Sequence, residues 1–216
     1  MASTAPKARS EAAEHLKAVA LRLFAERGID GVTVRQIAEA AGQKNHAVVG
    51  YYFGSKEALV RELIVDGARA IDLRRNAWLD RCEAKGGPHS VAEVISAMIE
   101  TSLDPDAAPG DESFNRFFTL LGLSHRAFFM EALEDRWNTG YQRCLAHLRR
   151  LMPDMAAAKK NERFVFLGAT LGAVLSARES ELADRSRPHH MWQSAGTLKH
   201  AAQVIAAMIE APPTTA

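Results

Sequence analysis

Apolar and polar positions in the N-terminal part of the chain follow the pattern of short amphipathic helices. From about Arg9 to Arg27 the apolar positions recur three and four residues apart, as on one face of a helix; they are Leu16, Val19, Ala20, Leu23 and Phe24. We expect Gly28 to end this helix, because glycine readily adopts positive φ. Thr33 and Gln36 have the spacing of a capping box, which predicts a second helix from Val34.

The second predicted helix is short and leads into a tight turn. Gly42 is expected to end it after about two turns. Asn45 can cap a third helix from His46 to about Tyr52, and Ser55 can cap a long fourth helix. Two short helices joined by a turn that contains glycine, and backed by a longer helix, are typical of a helix-turn-helix DNA-binding unit. The same spacing also fits an ordinary pair of antiparallel helices.

Beyond residue 55 the apolar positions keep helical spacing almost to the end of the chain. The further helices predicted are Lys56 to about Lys85, Val91 to Leu103 after Ser90 as N-cap, Phe114 to Leu123, Arg126 to Leu151, Asn161 to Asp184, and Leu198 to Ile209. The predicted fold class is therefore all-α. A three-helix, homeodomain-like helix-turn-helix domain is expected over residues 1–54, and a larger helical domain over residues 55–216.

Composition and charge exclude several classes of protein. The 216 residues are 47% hydrophobic and 25% charged, which is ordinary for a globular chain of two domains. Residues 1–60 hold eight Lys and Arg against six Asp and Glu, an excess too small to indicate nucleic-acid binding by itself. Two cysteines form neither a disulfide framework nor a zinc motif. The sequence has no signal-peptide pattern and no apolar run that could span a bilayer, so a cytoplasmic protein without membrane attachment is expected.

Sequence motifs for enzymatic chemistry are absent. The chain has no E-x-x-H pair, no G-x-S-x-G, no G-x-G-x-x-G and no Walker motif. Glu179, Glu181 and Asp184 have no matching histidine, and we interpret them as a solvated face. No catalytic residue, metal or cofactor is predicted. A small helical enzyme is therefore less favoured than a DNA-binding protein, and a helical interaction or structural protein with a degenerate helix-turn-helix is the other alternative.

A longer motif extends over residues from about 10 to 62. The frame A-x-x-L-F-A-E-x-G-x-x-x-x-T-V-x-x-I-A-x-x-A-G runs from Ala20 to Gly42, and Y-x-F-x-S-K-E-x-L runs from Tyr51 to Leu59. Both frames resemble the N-terminal DNA-binding domain of the TetR/AcrR family of bacterial transcriptional regulators. Compared with the commonest members of the family, this chain has one more residue between Gly42 and Phe53. An extended turn at residues 43–44 accounts for that difference.

The resemblance implies a ligand-responsive DNA-binding regulator. Such a protein is expected to be a repressor that binds a palindromic double-stranded operator as a homodimer and is released by a small, largely apolar effector. The positions that match the family's DNA contacts are Thr33, Arg35, Lys44, Asn45, His46, Ala47, Tyr51, Tyr52 and Lys56. Arginine suits guanine, asparagine suits adenine and lysine suits phosphate. Each of these DNA-contact assignments has an alternative. Arg35 would be a solvated helix charge, and His46 and Lys56 would only occupy the first turns of their helices. Tyr52 would be a core or hinge residue.

The C-terminal part holds two further groups of candidate residues. In the family this part binds the effector and forms the dimer. Aromatic residues that fit either an effector pocket or an ordinary core are Phe117, Phe118, Phe128, Phe129, Trp137 and Tyr141. Residues that fit a close helix-helix dimer interface, or close packing within one chain, are Gly168, Gly172, Ala173, Ser176 and Leu198.

Overall fold

The computed structural model describes residues 5–108, 110–134 and 136–212, and this part of the chain is helical without a strand, which confirms the all-α prediction. The helices are α1 (Ala5–Arg27), α2 (Val34–Ala40), α3 (Val48–Phe53), α4 (Lys56–Glu83), α5 (Val91–Glu100), α6 (Phe114–Ser124), α7 (Arg126–Leu133), α8 (Thr139–Leu151), α9 (Ala157–Ala183), α10 (His190–Gln193) and α11 (Ala195–Glu210). None of these described helices combines the length and the apolar character that crossing a bilayer requires.

The chain divides into two compact units. The first comprises Met1–Gly67 and Phe117–Glu134, and the second comprises Ala68–Arg116 and Asp135–Ala216. Helices α4 and α6 therefore contribute residues to both units. The domain boundary expected after residue 54 stays a prediction.

The core of the first unit forms on the inner face of α1. Leu16, Ala20 and Phe24 are buried there at intervals of four residues, and α1 packs on α2, which in turn packs on α3. The ring of Phe24 stacks on that of Phe117 from α6, with 6.2 Å between the ring centroids. The buried Ala38 of α2 is small enough to let neighbouring backbone approach closely. The long α1 is thus the support for the two short helices.

Local capping determines where α2 begins and ends. The Thr33 side chain accepts a hydrogen bond from the Gln36 backbone N–H, and the Gln36 side chain accepts one from the Thr33 backbone N–H at 2.8 Å. This capping box confirms the predicted start at Val34. Gly42 follows α2 with φ +69°, a left-handed conformation that favours glycine, as expected for its end.

Helix α5 lies at the centre of the second unit. It packs on α8 and α11, and α11 packs on α9. Its residues Val94 and Ile95 are fully buried, together with Leu148 of α8 and Leu167 of α9. Arg143 of α8 hydrogen-bonds to three side chains of α4 at 2.7–2.8 Å, which are Asn76, Asp80 and Glu83. Apolar packing and this polar contact together hold α8 in place.

The single helix predicted from Arg126 to Leu151 is wrong, because the chain forms α7 and α8 with a break between them. Glu134 (φ 46°) and Trp137 (φ 60°) adopt left-handed backbone conformations that a continuous helix does not allow. The Asp72 carboxylate of α4 accepts a hydrogen bond from the Gly140 backbone N–H at 2.7 Å. This carboxylate stabilises the start of α8 from a distant part of the sequence, so no local pattern indicates it.

Glu179 is 2% exposed, so the expectation of a solvated face is wrong for this residue. Its carboxylate accepts hydrogen bonds from the backbone N–H of Asn115 at 3.0 Å and of Arg116 at 2.7 Å. Both N–H groups belong to the first turn of α6, which has no partner for them within the helix. Burial raises the pKa of the Glu179 carboxyl, and these donors partly oppose that shift. Glu179 of α9 therefore caps α6.

Glu179→Ala is expected to lower the free energy of unfolding by about 1–3 kcal/mol, because it leaves buried backbone donors without an acceptor. Urea unfolding followed by circular dichroism measures the change. Glu162→Ala makes the same substitution at an exposed position of α9 and should alter stability by less than about 0.5 kcal/mol. Equal stability of the two variants would contradict the capping role.

Candidate DNA-binding surface

The turn between α2 and α3 is longer than the sequence pattern predicts. The Asn45 Oδ1 accepts a hydrogen bond from the Ala47 backbone N–H at 3.0 Å, and α3 starts at Val48. The predicted start at His46 is therefore wrong by two residues, because the Asn45 side chain stabilises a turn instead of capping the helix. Helix α3 buries Val49 and Phe53 against the rest of the first unit.

Most of the predicted DNA contacts lie on the exposed surface of α2, the turn and α3. The exposed residues are Thr33, Arg35, Lys44, Asn45, His46, Ala47 and Tyr51, whereas Tyr52 and Lys56 are half-buried. We call these seven exposed residues the α2–α3 surface. Thr33 and Asn45 accept hydrogen bonds from nearby backbone N–H groups, since the Thr33 hydroxyl belongs to the capping box and the Asn45 oxygen holds the turn. Tyr51 is 64% exposed and its ring packs edge-on against Tyr52.

Glu39 brings two residues of the α2–α3 surface together. The Arg35 Nε donates a hydrogen bond to the Glu39 Oε1 at 2.7 Å, and the His46 Nε2 lies 3.6 Å from the same oxygen. The hydrogen bond from Arg35 lowers the pKa of the Glu39 carboxyl and raises the pKa of Arg35. Sequence reasoning missed Glu39. Its position four residues after Arg35 on a predicted helix was the signal that could have found it.

Lys56 makes contacts within the protein that the sequence did not indicate. Its Nζ donates hydrogen bonds to the backbone carbonyl oxygens of Ile29 at 2.9 Å and Val32 at 3.1 Å. These carbonyls belong to the connection between α1 and α2. Lys56 therefore fastens the start of α4 to the segment that precedes α2, and its role as a phosphate contact stays a prediction.

The structure places the aromatic candidates for an effector pocket in both units. In the first unit Phe117 stacks on Phe24, Phe118 contacts Phe129 edge-on at 4.5 Å between centroids, and the Arg61 guanidinium lies 4.6 Å from the centroid of Phe128. Phe117 and Phe129 are buried, whereas Phe118 and Phe128 are half-buried.

The remaining two aromatic candidates belong to the second unit. Tyr141 packs against its core. The Arg69 guanidinium lies 5.4 Å from the ring centroid of Trp137, and the Trp137 indole N–H is buried without an acceptor among the described residues. A separate cleft of about 300 Å³ in this unit is lined by Arg74, Glu100, Leu103, Asp104, Pro105, Ala107, Glu112 and Arg178. It includes neither aromatic residue.

The five candidates for a dimer interface differ in exposure. A Cβ added at Gly168 would lie 3.6 Å from the Tyr141 hydroxyl oxygen, so this glycine faces its own chain. The Ser176 hydroxyl donates to the Asn115 carbonyl oxygen and Leu198 packs against the core, whereas Gly172 is half-buried and Ala173 is exposed.

A different set of residues makes α9 and α11 apolar on the outside. Val165 and Phe166 of α9 are 69% and 55% exposed, and Val204 of α11 is 55% exposed. Ala169 and Ala173 extend the exposed apolar strip along α9. We call these five residues the α9–α11 face. The sequence prediction included only Ala173 of this face, because it selected residues by small side-chain size and not by exposure to solvent.

Acidic, histidine and cysteine side chains in residues 5–108, 110–134 and 136–212 form no group of three that could hold a metal ion.

A long supporting helix, a capped short helix, a turn and an exposed second helix define a helix-turn-helix DNA-binding domain. Residues 16–63 match the sequence profile described as "Bacterial regulatory proteins, tetR family", so this part of the chain is similar to the DNA-binding domain of that family. The match and the helix-turn-helix together support a DNA-binding regulator. No curated protein sequence matches the chain.

Solved structures extend the likeness of fold beyond the N-terminal domain. The probable transcriptional regulatory protein RHA5900 is 21% identical over 96% of this chain and 100% of its own, with a TM-score of 0.57. A TetR-family transcriptional regulator from Mesorhizobium loti MAFF303099, described as putative, is 16% identical over 93% of this chain and 96% of its own, with a TM-score of 0.54. At these identities the comparison shows a likeness of fold alone, over 93–96% of this chain.

Lys56→Ala is expected to lower the free energy of unfolding by about 1–3 kcal/mol, because two carbonyl oxygens lose a charged donor. Chemical denaturation measures this loss. Lys44→Ala is the matched control, since Lys44 is exposed, and it should change stability by less than about 0.5 kcal/mol. If Lys56→Ala were as stable as the wild type, the two hydrogen bonds would not contribute to the fold.

Proposed function

We propose that the protein is a ligand-responsive repressor that binds a palindromic operator as a homodimer and releases it when a small, largely apolar molecule binds. The observation that carries this proposal is the α2–α3 surface, where polar and cationic side chains stand exposed on a tetR-family DNA-binding domain. A cytoplasmic location follows from operator binding. An enzymatic function is not proposed.

Three exposed side chains of the α2–α3 surface suit different parts of the duplex. Arg35 uses only its Nε in the contact with Glu39, so its two terminal nitrogens can donate to the O6 and N7 of guanine. The Lys44 ammonium suits a phosphate. Asn45 can pair with adenine through both side-chain atoms only if its Oδ1 leaves the Ala47 N–H, so we assign it a weaker contribution.

Dimerisation is supported by the α9–α11 face. Val165, Phe166 and Val204 expose more than half of their side chains on two helices that pack on one another. Exposed apolar patches are typical of protein–protein interfaces. A second copy related by twofold symmetry would bury the same face on both chains and would present two α3 helices to two half-sites. A palindromic operator follows from that symmetry.

The effector is expected to bind in the second unit. Trp137 favours this, because its buried indole N–H would gain a hydrogen bond from an acceptor on the ligand and its ring would offer aromatic surface. The ligand releases the operator only if it binds more tightly to a conformer of the dimer in which the two α3 helices do not match the half-site spacing.

Arg35→Ala is expected to weaken binding to the operator by about tenfold to hundredfold, and to remove discrimination at one base pair. The operator is first selected by the wild-type protein from a random duplex library. Fluorescence anisotropy with the operator and its single-base-pair variants then measures affinity. Arg22→Ala, which removes an exposed arginine of α1, is the control and should bind as the wild type does. Uniform weakening over all duplexes would instead make Arg35 a phosphate contact.

Phe166→Glu is expected to raise the dissociation constant of the dimer by about thirtyfold or more, because it places a charge in an apolar interface. Analytical ultracentrifugation measures the distribution of monomer and dimer. Leu123→Glu is the control, since Leu123 is 80% exposed on α6, and it should leave the dimer intact. A Phe166→Glu variant that sediments like the wild-type dimer would exclude this face as the interface.

A further inference from the structure

We propose that Glu39 determines the specificity of the α2–α3 surface: its carboxylate, which lies beside His46, holds Arg35 in the free protein and selects against duplexes that do not offer it a hydrogen-bond donor. This inference rests on the proposed function, and concerns how the same surface distinguishes its operator from other DNA.

The geometry makes Glu39 part of the surface rather than a neighbour of it. Glu39 and Arg35 are four residues apart, on one face of α2, and their side chains are 47% and 71% exposed. His46 belongs to the turn before α3, and its Nε2 lies 3.6 Å from the same carboxylate oxygen that Arg35 contacts. A duplex that contacts both Arg35 and His46 must therefore also approach the carboxylate.

The contact with Glu39 orients Arg35 for base recognition. The Arg35 Nε donates to the Glu39 Oε1 at 2.7 Å, which limits rotation of the guanidinium plane. The distal N–H groups of the two terminal nitrogens take no part in this hydrogen bond. An arginine that is already oriented loses less conformational freedom when it pairs with guanine. In free solution Glu39 therefore acts as a positioning residue for Arg35.

The charge of Glu39 disfavours contact with the phosphate backbone. B-DNA carries roughly one negative charge per 1.7 Å of helix axis, and most non-specific affinity comes from cations that neutralise phosphates. The Glu39 carboxylate cancels the charge of Arg35, so the pair as a whole gains little from a phosphate. Arg35 is thereby withheld from sequence-independent binding.

An operator can offer the Glu39 carboxylate a hydrogen-bond donor that other duplexes lack. The cytosine N4 amino group in the major groove is a donor that suits a glutamate oxygen, and it lies beside the O6 and N7 acceptors of the paired guanine. A guanine-cytosine pair in the right position therefore offers acceptors to Arg35 and a donor to Glu39. Phosphates offer no such donor. Glu39 therefore lowers the affinity for most duplexes, and it lowers the affinity for the operator much less.

The test is Glu39→Gln, which keeps the shape of the side chain and removes its charge. Anisotropy titrations over a range of salt concentrations compare the selected operator with a scrambled duplex of the same length and composition. Affinity for the scrambled duplex is expected to rise by about tenfold at low salt. Its salt slope should become steeper by about one, because Arg35 is free to displace one more counterion. Affinity for the operator should change by less than about threefold, so discrimination falls.

Two further proteins separate the proposed role from a simple change in net charge. Glu162→Gln removes the same charge from α9 and should leave both affinities unchanged. In the Arg35→Ala background, Glu39→Gln should alter the salt slope much less than in the wild type, since Arg35 is no longer there to be released. Equal gains on both duplexes, or an unchanged salt slope, would overturn the specificity role. Failure of the wild type to select any duplex would instead remove the proposed function itself.

Discussion

This fold depends on supplying hydrogen-bond partners to the backbone N–H and C=O groups at helix ends, which have no partner within their own helix. Many of its helices are short, so a large share of their N–H and C=O groups lies in terminal turns. Charged side chains distant in sequence supply the partners. The Asp72 carboxylate accepts a hydrogen bond from the first turn of α8, and the Glu179 carboxylate accepts one from the first turn of α6. The Lys56 ammonium donates to carbonyl oxygens of the connection before α2. Charged residues that a sequence pattern assigns to the surface thus hold the helices in place.

Local chemistry explains which parts of the fold could be predicted. Thr33 and Gln36 cap α2 within one turn, so its start was visible in the sequence. The break before α8 was not visible, because the Asp72 carboxylate that makes it favourable lies on another helix. Asn45 shows the intermediate case: its side chain was recognised as a capping group, but it stabilises a turn and delays α3 to Val48. Predictions failed where the partner of a backbone group lies on a distant helix, and where one side chain can cap either a helix or a turn.

The candidate surfaces show the same limit. Residue type and motif position identified Arg35, Lys44 and Tyr51, and the structure leaves all three exposed. Residue type alone was insufficient on α9, where Gly168 faces the same chain while Val165 and Phe166 face outward. Helical periodicity gives the spacing of a face but not its direction. Whether a helix face points inward or outward depends on which neighbouring helix covers it. That packing is set by residues distant in sequence.

The stacking of Phe24 on Phe117 bears on how the DNA-binding part can be isolated. Phe24 is 1% exposed, and one of its partners comes from α6, far along the chain. A fragment cut after residue 54 would keep every residue of the helix-turn-helix yet expose this ring to water, and it would also lose Lys56. Such an excised fragment is therefore a poor substitute for the whole protein. During synthesis, likewise, the three N-terminal helices leave the ribosome well before the side chains that complete their core.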